Sequence, residues 1–422
     1  MRAAFYEIEI TPPLGGMMWG HYKDLRATDV QDRLYTKAFV VEDGEELAAM
    51  VCFDSCVVPA DMHDIVTKRI EEYTGIKPER VCLHSNHTHW GASFCDSPEL
   101  NSFADATYRD VCYRLIADAV ILAYKRLAPV DASFGASELR GYSFCRNYIM
   151  EDGTVITHGK KSMAVKGLLS EIDPAVSVVT FRKDGEPIGA LINYALHQCC
   201  CGGIQAYTGD FSSILSKELK KLYGPDFVSF FVQGTCGDIN HNNNDLVTKA
   251  TPDTYREIGR ALAKETVKSM QNDQPIGDGV CVKKELIRIP TRQADDEFYQ
   301  KRVMDLAARN SQMNLRNLVY YKTTNTATYK DLWLQLIRIG NTALWCLPGE
   351  VFVDFGRRIK NESTYQNNLV AELCNSYCGY IPTKRAFEPD CDLYETSLCH
   401  HSCLIPEAGD MIVDRILAMA KE

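Results

Sequence analysis

The chain has 422 residues, of which 45% are hydrophobic and 24% charged, proportions typical of a folded protein that can bury a sizeable core. Its net charge of −10 at pH 7 argues against a general nucleic-acid-binding role, because phosphate binding requires a basic surface. No run of about 18 apolar residues predicts a transmembrane helix. Segment 1–10 carries acidic residues where a signal peptide needs an apolar core, so we expect a cytoplasmic protein.

The 17 cysteines are an odd number in a long chain without a predicted signal peptide, which argues against a disulfide framework. We expect reduced and mostly buried thiols. Three groups stand out in the sequence: Cys199-Cys200-Cys201, Cys374 with Cys378, and Cys391 with Cys399 and Cys403. None has the CxxC spacing of a zinc ribbon, so a cysteine metal site is an alternative that the spacing does not favour.

The hydrophobic pattern of the first part of the chain alternates strands with helices. Strands are predicted at 3–10, at 35–42 and 47–53 as a hairpin around Asp43-Gly44, and at 81–83. Helices are predicted at 61–73, with Ile65, Ile70 and Tyr73 along its apolar face, and at 104–127.

The rest of the chain continues the alternation. Strands are predicted at 176–181, 188–195, 227–232, 332–339, 342–347 and 368–373. Helices are predicted at 212–223, 253–270, 351–360 and 408–421. Several of these strands form hairpins, which favours an α/β fold with mixed β-sheets covered by helices over a strict βαβ repeat.

Two histidines follow the predicted strand 81–83 within the run Asn86-His87-Thr88-His89-Trp90-Gly91. Residues at i and i+2 of an extended segment project to the same side. One imidazole can therefore bind a metal while its neighbour faces a substrate, which makes metal-assisted hydrolysis the leading hypothesis. The alternative is a pair of histidines that only form hydrogen bonds within a loop.

Further candidates also lie where a predicted strand gives way to a loop. His197 ends the apolar run 191–196 and is either a third imidazole ligand or a structural histidine. Glu350 lies between a strand and a helix and is either a carboxylate ligand or a charge that stabilises the helix dipole. Backbone N–H groups of the turn that contains Gly237, Asp238 and Asn240 could bind a developing oxyanion, or the turn could be an ordinary connection.

The order of these short motifs resembles that of the neutral/alkaline non-lysosomal ceramidase family, in its N-terminal catalytic domain. The matching landmarks are Ile10-Thr11-Pro12-Pro13, Gly20-His21-Tyr22, Asn86-His87-Thr88-His89-Trp90-Gly91, Arg146-Asn147, Asn193-Tyr194-Ala195-Leu196-His197, Gly209-Asp210, Gly237-Asp238, Pro348-Gly349-Glu350 and Gly379-Tyr380. They span about nine-tenths of the chain, and their shared order makes the match more specific than any single motif.

The resemblance implies a fold and a site. The fold would consist of mixed sheets sandwiched between helix layers, with the metal site at strand ends. One Zn²⁺ ion would be held by His87, His197, Glu350 and Tyr380. His89 would face the substrate, and Arg146 and Tyr394 would be further site residues. Asp210 and Asp238 would either fix imidazole tautomers or form turns and helix caps.

The chain departs from the family pattern at Asn240, where ceramidases carry a serine, so we expect metal-activated water rather than a serine nucleophile. We also expect residues 1–422 to form a single catalytic domain without a C-terminal immunoglobulin-like domain. The leading hypothesis is a zinc-dependent hydrolase that cleaves an amide or related acyl bond of a small polar substrate. The alternative is a metal-retaining binding protein, or a lyase or isomerase, on the same scaffold. A homo-oligomer is compatible with the sequence.

Overall fold

A computed structural model of the protein describes residues 1–21, 23–96, 103–158, 164–242, 251–308 and 311–422. Within these ranges the α-helices are α1 (Met62–Thr74), α2 (Ala106–Tyr124), α3 (Asp210–Tyr223), α4 (Thr254–Gln271), α5 (Asp296–Ala308), α6 (Gln312–Thr324), α7 (Val353–Glu362) and α8 (Ala408–Met419).

The strands of the same ranges are β1 (Arg2–Glu9), β2 (Asp29–Val30), β3 (Tyr35–Asp43), β4 (Glu46–Phe53), β5 (Val81–Ser85), β6 (Ala128–Pro129), β7 (Asp131–Glu138), β8 (Phe144–Cys145), β9 (Asn147–Met150), β10 (Val155–Thr157), β11 (Val165–Leu168), β12 (Ala175–Lys183), β13 (Glu186–Tyr194), β14 (Ala206–Tyr207), β15 (Val228–Gln233), β16 (Ile239–Asn240), β17 (Gln274–Pro275), β18 (Val280–Pro290), β19 (Tyr329–Ile339), β20 (Thr342–Cys346), β21 (Glu350–Val351), β22 (Asn367–Ala371), β23 (Tyr380–Ile381) and β24 (Cys391–Asp392).

Three larger sheets organise the molecule. The first has the order β5-β4-β3-β1-β6, the second β15-β13-β12-β7-β17 and the third β18-β19-β20-β22. Each contains antiparallel hairpins and one parallel pair: β4 with β5, β13 with β15, and β20 with β22. The mixed α/β class predicted from the sequence is therefore confirmed.

Helices cover the outward faces, and apolar side chains fill the space between the sheets. Helix α2 packs on β1 and β3, α4 packs on β7 and β12, and α8 packs on β18 and β19. One buried cluster joins the three sheets to one another, with Phe39 from the first, Phe181 from the second and Leu344 from the third. Asn193 adds a polar link, because its side-chain amide donates to the carbonyl oxygens of Val232 at 2.9 Å and Val370 at 3.0 Å.

Most of the elements predicted from the hydrophobic pattern are confirmed, including the β3–β4 hairpin and helices α1 to α4. The prediction for the apolar face of α1 is wrong at two positions. Ile65 and Tyr73 are 50% and 52% exposed, whereas Ile70 and Val66 are buried. The helix predicted at 351–360 begins two residues later, because Glu350 and Val351 form the short strand β21.

The thiols match the expectation for a reduced protein. All 17 cysteines are free and most of them are buried. A search of the described helices for one that is long and apolar enough to cross a membrane found none.

Candidate metal centre

The two histidines of the His-x-His run lie in the loop that follows β5. Asn86 fixes the start of this loop, because its side-chain amide donates to Asp54 Oδ1 at 2.5 Å and to Ser212 Oγ at 3.1 Å. His87 is buried and has a φ of +72°. This left-handed conformation is costly for a residue with a Cβ atom and recurs at functional sites. The surrounding contacts therefore hold His87 in a strained conformation.

Three imidazole rings meet at their Nε2 atoms. His197 lies in the segment after β13, and its Nε2 is 3.0 Å from His87 Nε2 and 3.0 Å from His89 Nε2. Burial and the neighbouring charge of His87 lower the pKa of both His89 and His197 well below the usual range. Both rings are therefore neutral at pH 7.

The opposite nitrogen of each ring faces a backbone carbonyl oxygen. The Nδ1 atoms lie 2.7 Å from Cys56 O for His87, 3.2 Å from Gly20 O for His89 and 3.4 Å from Cys236 O for His197. A carbonyl oxygen can only accept, so each Nδ1 carries a proton and the Nε2 of each neutral ring presents a lone pair. These lone pairs repel one another unless a cation or a proton lies between them.

Glu350 and Tyr380 are brought side by side by the pairing of two short parallel strands. Glu350 in β21 is in register with Tyr380 in β23. The glycine before each residue has a positive φ, 70° at Gly349 and 89° at Gly379, and a Cβ atom at either position would overlap a backbone carbonyl oxygen. Only glycine permits this approach, which explains the Gly-Glu and Gly-Tyr pairs of the sequence.

The carboxylate of Glu350 reaches the histidines. Its Oε1 accepts from Tyr377 OH at 2.8 Å. Its Oε2 lies 3.4 Å from His87 Nε2 and accepts no hydrogen bond within the described part of the chain. Burial opposes a charge on either group. Cys56 and Glu350 nevertheless hold the pKa of His87 well above its usual range, and His87 holds the pKa of Glu350 below its usual range.

The donor set fits a divalent metal. One ligand atom each of His87, His197 and Glu350 lies within 4.8 Å of the others. Two imidazoles and a carboxylate are a typical ligand set for catalytic zinc. A single proton can bridge only one of the short contacts, whereas a cation among the three residues would accept the imidazole lone pairs and the carboxylate oxygen together.

Arg146 and the tyrosines form the polar wall beside this cluster. Arg146 Nη2 donates to Tyr394 OH at 2.7 Å and to Gly237 O at 2.6 Å, and its Nε donates to Glu395 Oε1 at 2.8 Å. The hydroxyls of Tyr394 and Tyr380 are 2.6 Å apart. Burial raises the pKa of Tyr394 far above its usual range, so its hydroxyl stays protonated and can donate.

The turn at Gly237, Asp238 and Asn240 lies behind this wall rather than on the cavity surface. The Gly237 N–H donates to Val351 O at 2.9 Å, which leaves it unavailable to an oxyanion. Asp238 Oδ1 accepts from Val353 N at 2.8 Å at the start of α7. Asn240 Oδ1 accepts from His241 N at 2.7 Å. These contacts support the local backbone that holds Arg146.

Asp210 also has local contacts. Its carboxylate accepts from Cys200 N at 2.8 Å and from Phe211 N at 2.6 Å at the start of α3. The imidazole Nδ1 atoms face carbonyl oxygens instead. The contacts of Asp210 and Asp238 are thus those of turn formation and helix capping, the second of the two roles considered for them.

A cavity of about 670 Å³ opens over the cluster. The predicted residues His87, His89, Arg146, His197, Glu350, Tyr380 and Tyr394 line it. The remaining wall combines apolar side chains with polar ones, and the polar ones are His21, His158, His241, Asn242, Asn314, Arg316, Asn317, Asp392 and Ser397. Gly20 and His21 of the landmark Gly20-His21-Tyr22 belong to it, while Tyr22 lies outside the described residues.

Sequence reasoning did not single out Tyr377 and Glu395. Tyr377 bonds Glu350, and Glu395 pairs with Arg146 and accepts from Thr157 Oγ1 at 2.8 Å. Each lies within three residues of a predicted site tyrosine. A fully buried glutamate needs a partner, but its partner is 249 residues away in the chain, and no local pattern reveals it.

Comparison with known proteins identifies the family of the chain. The family model described as neutral/alkaline non-lysosomal ceramidase, N-terminal, matches residues 8–325. The fold is similar to the neutral ceramidase from Pseudomonas aeruginosa, with 18% identity, a TM-score of 0.73, and coverage of 100% of this chain and 74% of that chain. It is also similar to a ceramidase complexed with C2, with 18% identity, a TM-score of 0.77, and coverage of 99% and 74%. A comparison with curated proteins gave no match. Because the family model spans most of the sequence, the chain belongs to the neutral/alkaline non-lysosomal ceramidase family and is a hydrolase acting on amide bonds.

Proposed function

We propose that this protein is a zinc-dependent amidohydrolase that uses water to cleave the N-acyl bond of a small polar substrate. The observation that carries the proposal is the convergence of His87 Nε2, His197 Nε2 and Glu350 Oε2, which accepts no hydrogen bond from the described residues, beneath an open cavity. Tyr380 would complete the ligand set from its position beside Glu350. Zn²⁺ bound there would supply Lewis acidity to the scissile carbonyl and would lower the pKa of water.

His89 is the residue best suited to move protons. It lines the cavity, its neutral Nε2 carries a lone pair, and its Nδ1–H bond to Gly20 O fixes the ring. In the proposed reaction, Nε2 takes a proton from water as the water oxygen attacks the carbonyl carbon. The same proton then passes to the amine nitrogen as the C–N bond breaks, so that an acid and an amine are released.

Tyr394 is the residue best suited to stabilise the developing oxyanion. Arg146 donates to the Tyr394 oxygen, which leaves the phenolic proton for an acceptor in the cavity or for Tyr380. Arg146 is itself held by Glu395 and Gly237 O, so the phenol is positioned before the substrate arrives. A preoriented donor of this kind strengthens its bond as charge develops on the carbonyl oxygen.

Asn240 supports attack by water rather than by a side chain. An amide is not a nucleophile, and Asn240 Oδ1 is already bonded to the His241 N–H. We therefore expect no covalent acyl-enzyme. Rapid-quench mass spectrometry during turnover tests this, and a mass increase equal to the acyl group would contradict the water mechanism.

Two polar atoms in the cavity wall support a polar substrate. His241 and Asn242 line it, and neither His241 Nε2 nor Asn242 Oδ1 has a hydrogen-bond partner among the described residues, although both atoms are buried. Buried polar atoms without partners are costly, so a substrate that bonds to them would gain affinity. N-acyl amines and N-acyl amino acids with short acyl chains should therefore be cleaved with higher kcat/KM than a long-chain ceramide.

The layer order is part of the same proposal. We infer an α-β-β-α sandwich in which the first and second sheets stack between α1/α2 on one side and α3/α4 on the other. The contacts of α2 with β3, of α4 with β12, and of β15 with β3 and β4 support it. His87 and His197 each follow the end of a strand, which supports a metal site at strand ends.

The decisive experiment is elemental mass spectrometry of the purified protein and of the variants Glu350→Gln and His197→Ala. We expect about one zinc per chain in the wild type and a loss in both variants. Lys183→Gln is a control that changes an exposed charge at the end of β12, outside the cavity. A wild type that cannot be loaded with zinc, or variants that retain it fully, would overturn the proposal.

A further inference from the structure

A second group of ligand-type atoms lies in the core, away from the cavity. The thiols of Cys82, Cys346 and Cys374 have their Sγ atoms within 4.8 Å of one another. All three side chains are fully buried, in the cluster that joins the three large sheets. None of them lines the cavity that contains the candidate zinc ligands.

A cation faces these sulfurs. Lys284 from β18 interacts electrostatically with all three cysteines. Its ammonium points inward and donates to His63 Nε2 at 2.6 Å, to Val81 O at 2.8 Å and to Pro78 O at 3.2 Å. These acceptors are neutral, so they solvate the ammonium without cancelling its charge. Three neutral thiols do not need a buried cation, whereas thiolates do.

The nearest imidazole is not available as a fourth ligand. His84 Nδ1 lies 3.6 Å from Cys374 Sγ. Its Nε2 accepts from the Gln233 N–H at 2.9 Å, so in the neutral ring the proton is on Nδ1 and points toward sulfur. The described site therefore offers three sulfur ligands and no nitrogen, with His84 Nδ1 beside Cys374 Sγ and the Lys284 ammonium as the neighbouring charge.

We propose that Cys82, Cys346 and Cys374 form a second metal site, which binds a thiophilic d¹⁰ ion, Cu(I), with three sulfur ligands. Soft thiolates select Cu(I), Zn²⁺ and iron–sulfur clusters. Structural zinc, by contrast, takes four ligands in tetrahedral geometry, and the described residues supply three. Binding releases the three thiol protons and leaves a negative complex that the Lys284 ammonium partly neutralises.

The position of the site suggests what an ion there would do. Cys82 lies five residues before His87, Cys346 four before Glu350, and Cys374 six before Tyr380. The three segments are already in contact, because Leu347 N donates to Ala371 O and Asn375 N donates to Leu83 O. A metal bridge would link three of the four ligand-bearing segments from beneath.

The test uses the full-length reduced protein, loaded with Cu(I) under anaerobic conditions and then challenged with the Cu(I) chelator bathocuproine disulfonate. We expect one chelator-resistant copper per chain and a copper K-edge absorption spectrum that fits three sulfur neighbours and no nitrogen. Cys346→Ser should lose this copper. Cys112→Ser, which changes an equally buried thiol in a different core cluster, should retain it.

Three results would overturn the proposal: no chelator-resistant copper, a copper shell that contains nitrogen, or equal loss in Cys112→Ser. A zinc ion that resists removal by copper and shows only sulfur neighbours would also overturn the choice of Cu(I). The absorption spectrum needs only the wild type, so the proposal stays testable even if Cys346→Ser does not fold. The cavity site has nitrogen and oxygen ligands, and its loss of zinc would not alter a sulfur-only shell.

Discussion

The candidate zinc centre and the sulfur cluster beneath it share three chain segments, those of His87, Glu350 and Tyr380, yet they differ in almost every physical respect. The upper group presents nitrogen and oxygen atoms of His87, His197 and Glu350 to an open cavity. The lower group presents only sulfur and is buried in an apolar cluster, with Lys284 and His84 as its polar neighbours. The difference indicates that reaction chemistry belongs to the upper group and that the lower group affects the site only through the positions of the strands.

The variant with the largest expected effect tests whether the reaction depends on the upper group and not on the lower one. Glu350→Gln removes the charge that holds the metal, and loss of a Lewis acid worth several kcal/mol should lower kcat/KM by about 10³-fold or more. Cys346→Ala, four residues earlier, should keep kcat/KM within about threefold, because it touches no group in the cavity. Steady-state kinetics on a short-chain N-acyl substrate measures both, and a similar loss in the two variants would contradict the division.

The next prediction separates the reaction from metal binding. Tyr394→Phe keeps the ring but removes the hydroxyl that Arg146 positions. Loss of one oxyanion donor typically lowers kcat by about 10²- to 10³-fold. Zinc content should not change, since the ligand set of His87, His197 and Glu350 is intact.

Tyr365→Phe is a matched control, because Tyr365 packs on Trp345 outside the cavity and its hydroxyl has no role in the proposed reaction. It should leave kcat unchanged. A zinc-free Tyr394→Phe protein would instead assign Tyr394 to the metal, and full activity with zinc retained would remove it from the mechanism.

The sequence allowed much more of the upper group to be predicted than of the lower. His87 and His89 are two residues apart, and the apolar run before His197 predicts a strand that ends beside a site. These site residues were therefore predicted from their neighbours in the chain. Cys82 is separated from Cys346 by most of the chain, and only the packing of two different sheets brings their sulfurs together. No local periodicity encodes such a contact.

The grouping of the thiols by their spacing along the chain was also wrong. Cys374 and Cys378 are close in the chain, but they pack in different apolar clusters. Strand β18 was missed for a related reason. Its residues are mostly half-buried and include four charged side chains, so they lack the alternation that predicts a strand. It is recognisable only by its pairing with β19 along its whole length.

A third group of thiols sharpens the comparison, because its charged neighbour has the opposite sign. Asp210 Oδ2 lies beside Cys200 N and 3.3 Å from Cys201 Sγ. Burial and this carboxylate raise the pKa of both thiols well above the usual range. The Asp210 carboxylate would repel a negative copper–thiolate complex, whereas the Lys284 ammonium would attract one, so we expect Cu(I) in the lower cluster and not at Cys200–Cys201.

The same carboxylate predicts a pH dependence of stability. Burial raises the pKa of Asp210 from 3.8 to about 6. The folded state therefore holds a proton that the unfolded state releases between pH 4 and 6, and the free energy of unfolding falls as the pH rises through this window, by up to about 3 kcal/mol. Asp210→Asn should remove that contribution.

Urea unfolding at pH 4, 5 and 6 measures the effect as the difference between wild type and variant, which cancels other groups that titrate in the window, such as Asp54. Asn also tolerates the positive φ of 55° at this position. Asp29→Asn is the control, at an exposed carboxyl on strand β2. Parallel curves for wild type and Asp210→Asn would show that this carboxyl titrates normally.

The smallest predicted effect concerns how the upper group is oriented. Tyr377 OH donates to Glu350 Oε1, and the other carboxylate oxygen, Oε2, faces His87. Partners of this kind typically contribute about 10- to 100-fold to metal affinity. Tyr377→Phe should therefore raise the zinc dissociation constant by that factor, measured by competition with a chelator. Copper in the sulfur cluster should be retained at the wild-type level, because Tyr377 bonds no cysteine of that cluster. If zinc and copper affinity fell together, the two groups would be energetically coupled, and the lower cluster would have to be counted as part of the zinc centre.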